Sequence, residues 1–145
     1  MLKKNFILLI FFLLTNSVTS QEWVTNFDEA KSIASTNNLN ILLVFQGSDW
    51  CGLCIKLDKN VWSTERFQNL VKDYFVMVKA DFPRRKSNQL SKEMQMQNSK
   101  LADSYNRYGY FPLVVLLNPE GKLLGKIGYE KISPIEYFNK LKAFE

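Results

Sequence analysis

The apolar residues of this chain fall into two patterns, short unbroken runs and sets spaced three or four residues apart. Unbroken runs are typical of buried strands, and the spaced sets are typical of helices that bury one face. Buried strands are predicted at 41–45, 75–80 and 113–117. The turn at 118–121 contains Pro and Gly, so it predicts a hairpin whose second strand covers 122–127.

Helices are predicted where a capping residue or an apolar stripe marks them. Their predicted extents are Asn26 to Asn37, a helix opening at Cys51, one capped by Ser63, one from about Leu90 to Tyr108, and one opening at Ser133-Pro134. Gly109 suits the C′ position that ends the fourth helix. The order is a βαβ unit followed by a hairpin and a helix, which predicts a single α/β domain.

The first twenty residues have the pattern of an export signal. Lys3 and Lys4 precede the apolar run 6–14, and small or polar residues follow it up to Ser20. This predicts a signal peptide at 1–20 and a mature domain at 21–145, periplasmic or secreted. The run is far shorter than the ~20 residues that span a bilayer, so we expect no stable membrane insertion after cleavage. An uncleaved anchor is the alternative.

Charge and composition exclude several functions. The net charge of +5 falls to +3 when Lys3 and Lys4 are removed with the signal peptide. This mild, scattered excess favours solubility over nucleic-acid binding. The basic run 84–86 is interpreted as a solvated loop. The chain has no histidine, which excludes a histidine general base and histidine metal ligands.

Cys51 and Cys54 carry the clearest chemistry, and they are the only cysteines in the chain. They follow a predicted strand and lie in the first turn of a predicted helix, so their sulfur atoms are close enough to pair. This arrangement is expected of a thiol–disulfide exchange site. Cys51 is the better nucleophile because it lies at the helix start, where free N–H groups favour a thiolate. Cys51 is expected to be solvent-accessible, and Cys54, one turn further in, is expected to be buried. Asp49 is interpreted either as the cap of this helix or as a proton relay.

Three segments resemble the thioredoxin-like superfamily, and in particular its small exported bacterial members. They are VFQGSDWCGLCIKLD at 44–58, DFP at 81–83 and YGYFPLVVLLNPEGK at 108–122. The similarity extends from about residue 22 to the end of the chain. It implies a thioredoxin-like fold, with a central mixed β-sheet flanked by helices. The C-x-x-C motif would lie at the N-terminus of the helix that follows the central strand.

The resemblance also implies roles for individual residues. Cys54 would be the resolving thiol, and the pair would form a Cys51–Cys54 disulfide. The residues expected to support the site or contact the substrate are Trp50, Gly52, Leu53, Phe111 and Pro112. Leu53 stands where thioredoxins usually have proline, and Pro112 matches the position of the superfamily's cis-proline.

Two departures from the family pattern concern the redox chemistry. The positions that match the buried aspartate of thioredoxins hold Val44 and Phe45, which leaves the resolving thiol without that proton acceptor. No histidine lies between the cysteines, as one does in the strongest oxidants of the superfamily. We therefore expect a moderately acidic thiol and a reducing to middling potential.

The sequence thus predicts an exported thiol–disulfide oxidoreductase that acts on protein disulfides. We expect a monomer that needs no cofactor and that works with an unidentified redox partner. The alternative is a thioredoxin-fold binding or chaperone module in which Cys51 and Cys54 form only a structural disulfide. A zinc site is a third interpretation, but two cysteines without histidine fill four positions only in a dimer.

Overall fold

The structure is a computed structural model, and it describes residues 22–145. The predicted signal peptide at 1–20 and its cleavage after Ser20 lie outside these residues and stay predictions. Across the described part of the chain, no helix is both long and apolar enough to cross a membrane.

A mixed sheet forms the centre of the described domain. Strand β1 (Asn40–Gln46) is parallel to β2 (Phe75–Asp81) on one side and antiparallel to β3 (Leu113–Leu117) on the other. Strand β4 (Leu123–Ile127) pairs antiparallel with β3 and completes the order β2-β1-β3-β4. The predicted mixed sheet is confirmed, and β1, which leads into the C-x-x-C motif, is one of its two inner strands.

Helices cover both faces of this sheet. They are α1 (Phe27–Asn37), α2 (Gly52–Leu57), α3 (Glu65–Val71), α4 (Lys92–Tyr105) and α5 (Pro134–Lys142). On one face, Leu42 and Val44 join a buried cluster with residues of α2, α3 and α5. On the other face, Ile41, Leu43 and Phe45 join a cluster with residues of α1 and α4. Burial on both faces explains why strands such as β1 are unbroken apolar runs in the sequence.

Two of the predicted helix starts are confirmed by their hydrogen bonds. The side chain of Asn26 accepts a hydrogen bond from the backbone N–H of Glu29 at 2.9 Å. Ser133 forms a complete capping box with Glu136, and Pro134 occupies the first turn of α5. These local signals fix the ends of the helices because a side-chain acceptor satisfies an N–H that has no partner within the helix.

Two other helices have boundaries that were predicted wrongly. The cap of α3 is Thr64, whose hydroxyl accepts from the N–H of Phe67 at 3.3 Å, and not Ser63. Helix α4 is shorter at both ends than predicted, because Ser91 caps its start and Asn106 ends it.

Asn106 also explains why Tyr108 and Gly109 lie outside α4. Its buried side chain accepts from the N–H of Tyr110 at 2.9 Å and donates to the Tyr110 carbonyl oxygen at 2.8 Å. This pair of bonds folds the chain into a turn directly after α4. Gly109 therefore takes its positive φ of 69° within the turn and not at C′, and Tyr108 is 83% exposed.

Candidate active site

The two cysteines lie at the start of α2, directly after the turn that follows β1. After β1, the N–H of Cys51 donates to the carbonyl oxygen of Gly47 at 2.9 Å, which closes a tight turn. Cys51 is itself the N-cap of α2, and its sulfur accepts a hydrogen bond from the N–H of Cys54 at 3.2 Å. The two residues form a disulfide, with their Cα atoms 5.2 Å apart. The strand–turn–helix placement of the motif is as predicted.

The burial of one of the two cysteines differs from the sequence prediction. Cys54 is buried as expected, with 4% exposed, but Cys51, which was expected to be accessible, is only 6% exposed. The side chains that flank the motif in α2 are more exposed, at 46% for Leu53 and 52% for Ile55. An incoming polypeptide would therefore meet apolar side chains beside a disulfide that is only slightly exposed.

Trp50 is held on three sides. Its indole N–H donates to the carbonyl oxygen of Phe82 at 2.8 Å. The guanidinium group of Arg84 lies over its ring, 3.8 Å from the ring centroid. The ring of Phe111 meets it edge-on, with centroids 5.3 Å apart. Trp50 therefore joins the C-x-x-C turn to the segment after β2 and to the residue before Pro112.

Gly47 makes this placement of Trp50 possible. A Cβ atom added at Gly47 would lie 2.2 Å from the indole ring of Trp50, which is closer than real Cβ contacts allow. The Trp50 ring therefore occupies the space that a side chain at Gly47 would fill. This is a close-approach glycine, and its φ angle is not in the left-handed region.

Asp49 does not cap α2, because Cys51 does. Its carboxylate instead accepts hydrogen bonds from the backbone N–H groups of Arg84 and Arg85, both at 2.9 Å, and from the Asn88 side chain at 3.0 Å. These bonds, first the one from Arg84, hold the pKa of Asp49 below its ordinary value. Asp49 thus anchors the exposed basic loop to the active-site turn. A proton-relay role for it stays a prediction.

A second carboxylate fastens the same turn to β2. Asp81 accepts from the backbone N–H of Ser48 at 2.9 Å and from its hydroxyl at 2.6 Å. Asp49 therefore connects the active-site turn to the loop after β2, and Asp81 connects the end of β2 to the active-site turn. Sequence reasoning missed this arrangement because the partners lie 33 to 39 positions apart along the chain.

The Phe111–Pro112 peptide bond is cis, as the resemblance implied. Pro112 is buried and directly precedes β3. Phe111 contacts Trp50 and also packs against Phe82, with ring centroids 5.5 Å apart. The structure thus brings Trp50 and Phe111 together. At Gly52, by contrast, a Cβ atom added to the backbone would meet none of these side chains within 4 Å.

A partly open cavity of about 370 Å³ borders Cys54. The residues that line it are polar or charged apart from Ile55 and the disulfide-bonded Cys54: Gln46, Ser48, Cys54, Ile55, Asp58 and Lys79. Val44 and Phe45 of β1 are fully buried in the apolar clusters and do not line it. Asp58 and Lys79 are therefore site residues that the sequence analysis did not identify.

Within residues 22–145, no group of three or more cysteine, aspartate or glutamate side chains is arranged to hold a metal ion. The two sulfur atoms that a zinc ion would need are bonded to each other. The arrangement that the structure does contain is a dithiol pair in its oxidised form.

Comparison with known proteins places this site in a family. A family model described as thioredoxin-like matches residues 22–119. The disulfide bond reductase DsbH of Chlamydia pneumoniae is 31% identical over 118 residues, which cover 81% of this chain and 69% of that protein. The thioredoxin-related protein DsbJ of the same organism is 27% identical over 106 residues, but the match covers only 30% of its length.

Solved structures agree with this assignment. The structure titled DsbH oxidoreductase superposes with a TM-score of 0.79 at 30% identity, covering 86% of this chain and 84% of that one. A thioredoxin from Thermus thermophilus shares the fold, with a TM-score of 0.63 at 19% identity and 86% coverage of both chains. The chain belongs to the thioredoxin-like family, and it is a thiol–disulfide oxidoreductase.

Proposed function

We propose that the chain is an exported disulfide reductase, in which Cys51 attacks protein disulfides and Cys54 resolves the mixed disulfide. The observation that carries the division of roles is the hydrogen bond from the Cys54 N–H to the Cys51 sulfur. That donor stabilises negative charge on Cys51 in the reduced form, because a hydrogen bond to the charged form favours it. The thiolate is the species that attacks a disulfide.

The reaction has two exchange steps. The Cys51 thiolate attacks one sulfur of the substrate disulfide, so that a Cys51–substrate bond forms and the other substrate sulfur leaves as a thiolate. The Cys54 thiol then loses its proton and attacks the Cys51 sulfur. The Cys51–Cys54 bond forms, the second substrate sulfur leaves, and two electrons have passed to the substrate. The disulfide-bonded pair in the structure corresponds to the product state.

Two observations support the reducing direction. The relative DsbH bears the name disulfide bond reductase. The residues between the cysteines are Gly52 and Leu53, so no imidazolium group lies there to stabilise the reduced dithiol and make the pair strongly oxidising. A separate redox partner, not yet identified, would return electrons to the Cys51–Cys54 pair after each turnover.

The proposed substrate surface surrounds the motif. Its members are exposed or half-buried apolar and aromatic side chains near the cysteines and before β3: Trp50, Leu53, Ile55, Tyr108, Tyr110 and Phe111. Large side chains of this kind bind polypeptide with little loss of conformational freedom. Pro112 would present the adjoining backbone to an extended substrate. We propose that the protein does this as a monomer and without a cofactor.

Export is part of the proposal because of the predicted signal peptide at 1–20. Outside the cytoplasm, protein disulfides persist and would give such an enzyme its substrates. Sequencing the N-terminus of the exported protein tests this part. We expect mature protein that begins at Gln21, and protein that still begins at Met1 would contradict it.

Substrate trapping tests the division of roles. A Cys54→Ser variant keeps the attacking thiol and lacks the resolving one, so we expect it to accumulate covalent complexes with substrate proteins on non-reducing gels. The matched Cys51→Ser variant should form none. Equal trapping by the two variants would contradict the assigned roles. Trapping by neither would favour a binding module with a structural disulfide.

A further inference from the structure

The resolving thiol needs a proton acceptor. Cys54 attacks only as a thiolate, and an ordinary cysteine has a pKa of about 8.5, so most of it is protonated near neutral pH. Cys54 is 4% exposed, so bulk water has little direct access to it. The neighbouring strand residues Val44 and Phe45 carry no acceptor. Any group that accepts this proton must therefore face Cys54 from another part of the fold.

The cavity beside Cys54 contains such a group. We propose that the carboxylate of Asp58 accepts the Cys54 proton through water in this cavity, and that Lys79 supplies the compensating positive charge. The proposal rests on the function proposed above, and it adds the residue that makes the second exchange step fast. The titratable groups lining the cavity are Cys54, Asp58 and Lys79.

Local geometry directs Asp58 toward the same side as Cys54. Asp58 follows Cys54 by four positions, and its backbone N–H donates to the Cys54 carbonyl oxygen. Residues four apart on a helix lie one above the other on the same face. The chain then enters a π-helical turn, Asp58–Trp62. The Asp58 side chain, which is half-buried, accepts one hydrogen bond at 3.2 Å, from the Ser63 hydroxyl to its Oδ2 atom.

Lys79 approaches the cavity from β2. It pairs with Val44 across the sheet, and its ammonium group lies 4.3 Å from the ring centroid of Trp23. An isolated carboxylate would disfavour a thiolate next to it, because like charges repel. A nearby ammonium group offsets this repulsion. Asp81, further along β2, is engaged by Ser48 through two hydrogen bonds and is not among the residues lining the cavity.

The cavity is suited to water. Its volume of about 370 Å³ is several times the ~30 Å³ that a water molecule occupies in the liquid. Its walls offer donors and acceptors from Gln46, Ser48 and Lys79 in addition to Asp58. In the second exchange step, the proton passes from the Cys54 sulfur through water to Asp58. The Cys54 thiolate then displaces the substrate thiolate from Cys51, and the proton returns to solvent or to that leaving thiolate.

Single-turnover kinetics test this assignment. Reduced protein is mixed with oxidised glutathione, and samples are quenched in acid at successive times. Mass spectrometry then distinguishes the Cys51–glutathione intermediate from the Cys51–Cys54 disulfide by mass. For Asp58→Asn we expect an unchanged rate of intermediate formation. Its decay should slow at least about tenfold near neutral pH, since general base catalysis contributes roughly 10²–10⁴-fold. Asp58→Glu, which keeps a carboxylate, should recover part of the rate.

The pH profile separates a proton-transfer role from a structural one. The deficit of Asp58→Asn should shrink as the pH rises above about 8.5, because Cys54 then ionises without help. Asp73→Asn is the control, since Asp73 precedes β2 at the end of the sheet opposite the motif, and it should behave as wild type. If Asp58→Asn does not fold, the decay rate of the Cys51–glutathione intermediate is measured for Lys79→Gln instead. The pH dependence of this rate should shift to higher pH.

The outcomes distinguish this inference from the proposed function. A wild-type protein that forms no glutathione intermediate and reduces no disulfide would overturn the function itself. A wild-type protein that turns over normally, with an Asp58→Asn variant that resolves equally fast at every pH, would overturn only the role of Asp58. If Asp58→Asn slowed the decay of the intermediate by the same factor at every pH, the role of Asp58 would likewise be overturned. Such a result would indicate a distorted site.

Discussion

The indole nitrogen of Trp50 donates a 2.8 Å hydrogen bond to the carbonyl oxygen of Phe82. This bond joins the residue before Cys51 to the segment that follows β2. Arg84, two residues beyond Phe82, lies on the face of the same indole ring. The loop after β2 thus helps to form the active site, and its attachments give measurable predictions.

Gly47→Ala should displace Trp50. The added methyl group would lie 2.2 Å from the indole ring, so either the ring or the turn must move. Overpacking of this kind costs about 1–3 kcal/mol of folding free energy. We expect a lower free energy of unfolding in urea and a slower disulfide exchange. Gly52→Ala is the matched control for stability, because among residues 22–145 the added Cβ would have no heavy atom within 4 Å apart from its chain neighbours and the backbone of its own helix. Equal effects of the two variants on the free energy of unfolding would contradict the close contact between Gly47 and the indole ring of Trp50.

Asp49→Asn should loosen the loop after β2. The pKa of Asp49 is lowered from 3.8 in the folded protein, chiefly by the backbone N–H of Arg84. A lowered pKa stabilises the fold fully above the ordinary value and loses this contribution as the pH falls through the folded value. The wild type should therefore be more stable than Asp49→Asn at about pH 7, and the difference should shrink below about pH 4. Urea unfolding at both pH values measures it.

Asp28 and Glu136 also have lowered pKa values and lose stabilising interactions in the same acid range. The relevant quantity is therefore the difference between the variant and the wild type at each pH, in which their contributions cancel. A difference that stays constant from neutral to acid pH would mean that the Asp49 carboxylate charge does not hold the loop.

Asn106→Ala should destabilise the segment that leads to Pro112. The Asn106 side chain bonds both the N–H and the carbonyl oxygen of Tyr110, and it is 3% exposed. A typical intramolecular hydrogen bond contributes about 0.5–1.5 kcal/mol, so the two bonds together contribute about 1–3 kcal/mol. We expect a loss of this size in thermal or urea unfolding. Asn139→Ala, at an exposed position of α5, should change stability little, and a matching loss there would remove the specific role of Asn106.

Local signals account for the features that the sequence predicted well. The apolar runs at 41–45 and 113–117 predict strands because both of their faces are buried. Asn26 and Ser133 predict helix starts because a cap depends on residues only three positions away. The cis bond before Pro112 was predicted from the resemblance to a family and not from local sequence signals.

Features that depend on distant partners were missed. Asp49 could be interpreted as a helix cap from its position alone, since nothing in the sequence shows that residues 84, 85 and 88 approach it. Cys51 is buried in the folded chain although helix starts are commonly exposed. Asp58 lies close enough in sequence to be found through its spacing from Cys54. The role proposed for it, however, depends on a cavity that it shares with Lys79 of β2, which is distant in the sequence.

The reduction potential of the Cys51–Cys54 pair tests the central claim most directly. The pair is equilibrated with dithiothreitol buffers of known ratio, and the free thiols are counted after alkylation. Structural disulfides usually lie below about −300 mV, whereas disulfides that exchange lie above it. We predict a potential above about −300 mV, accompanied by reduction of insulin disulfides. A potential well below that value, with no insulin reduction, would contradict the account and identify the pair as a structural disulfide.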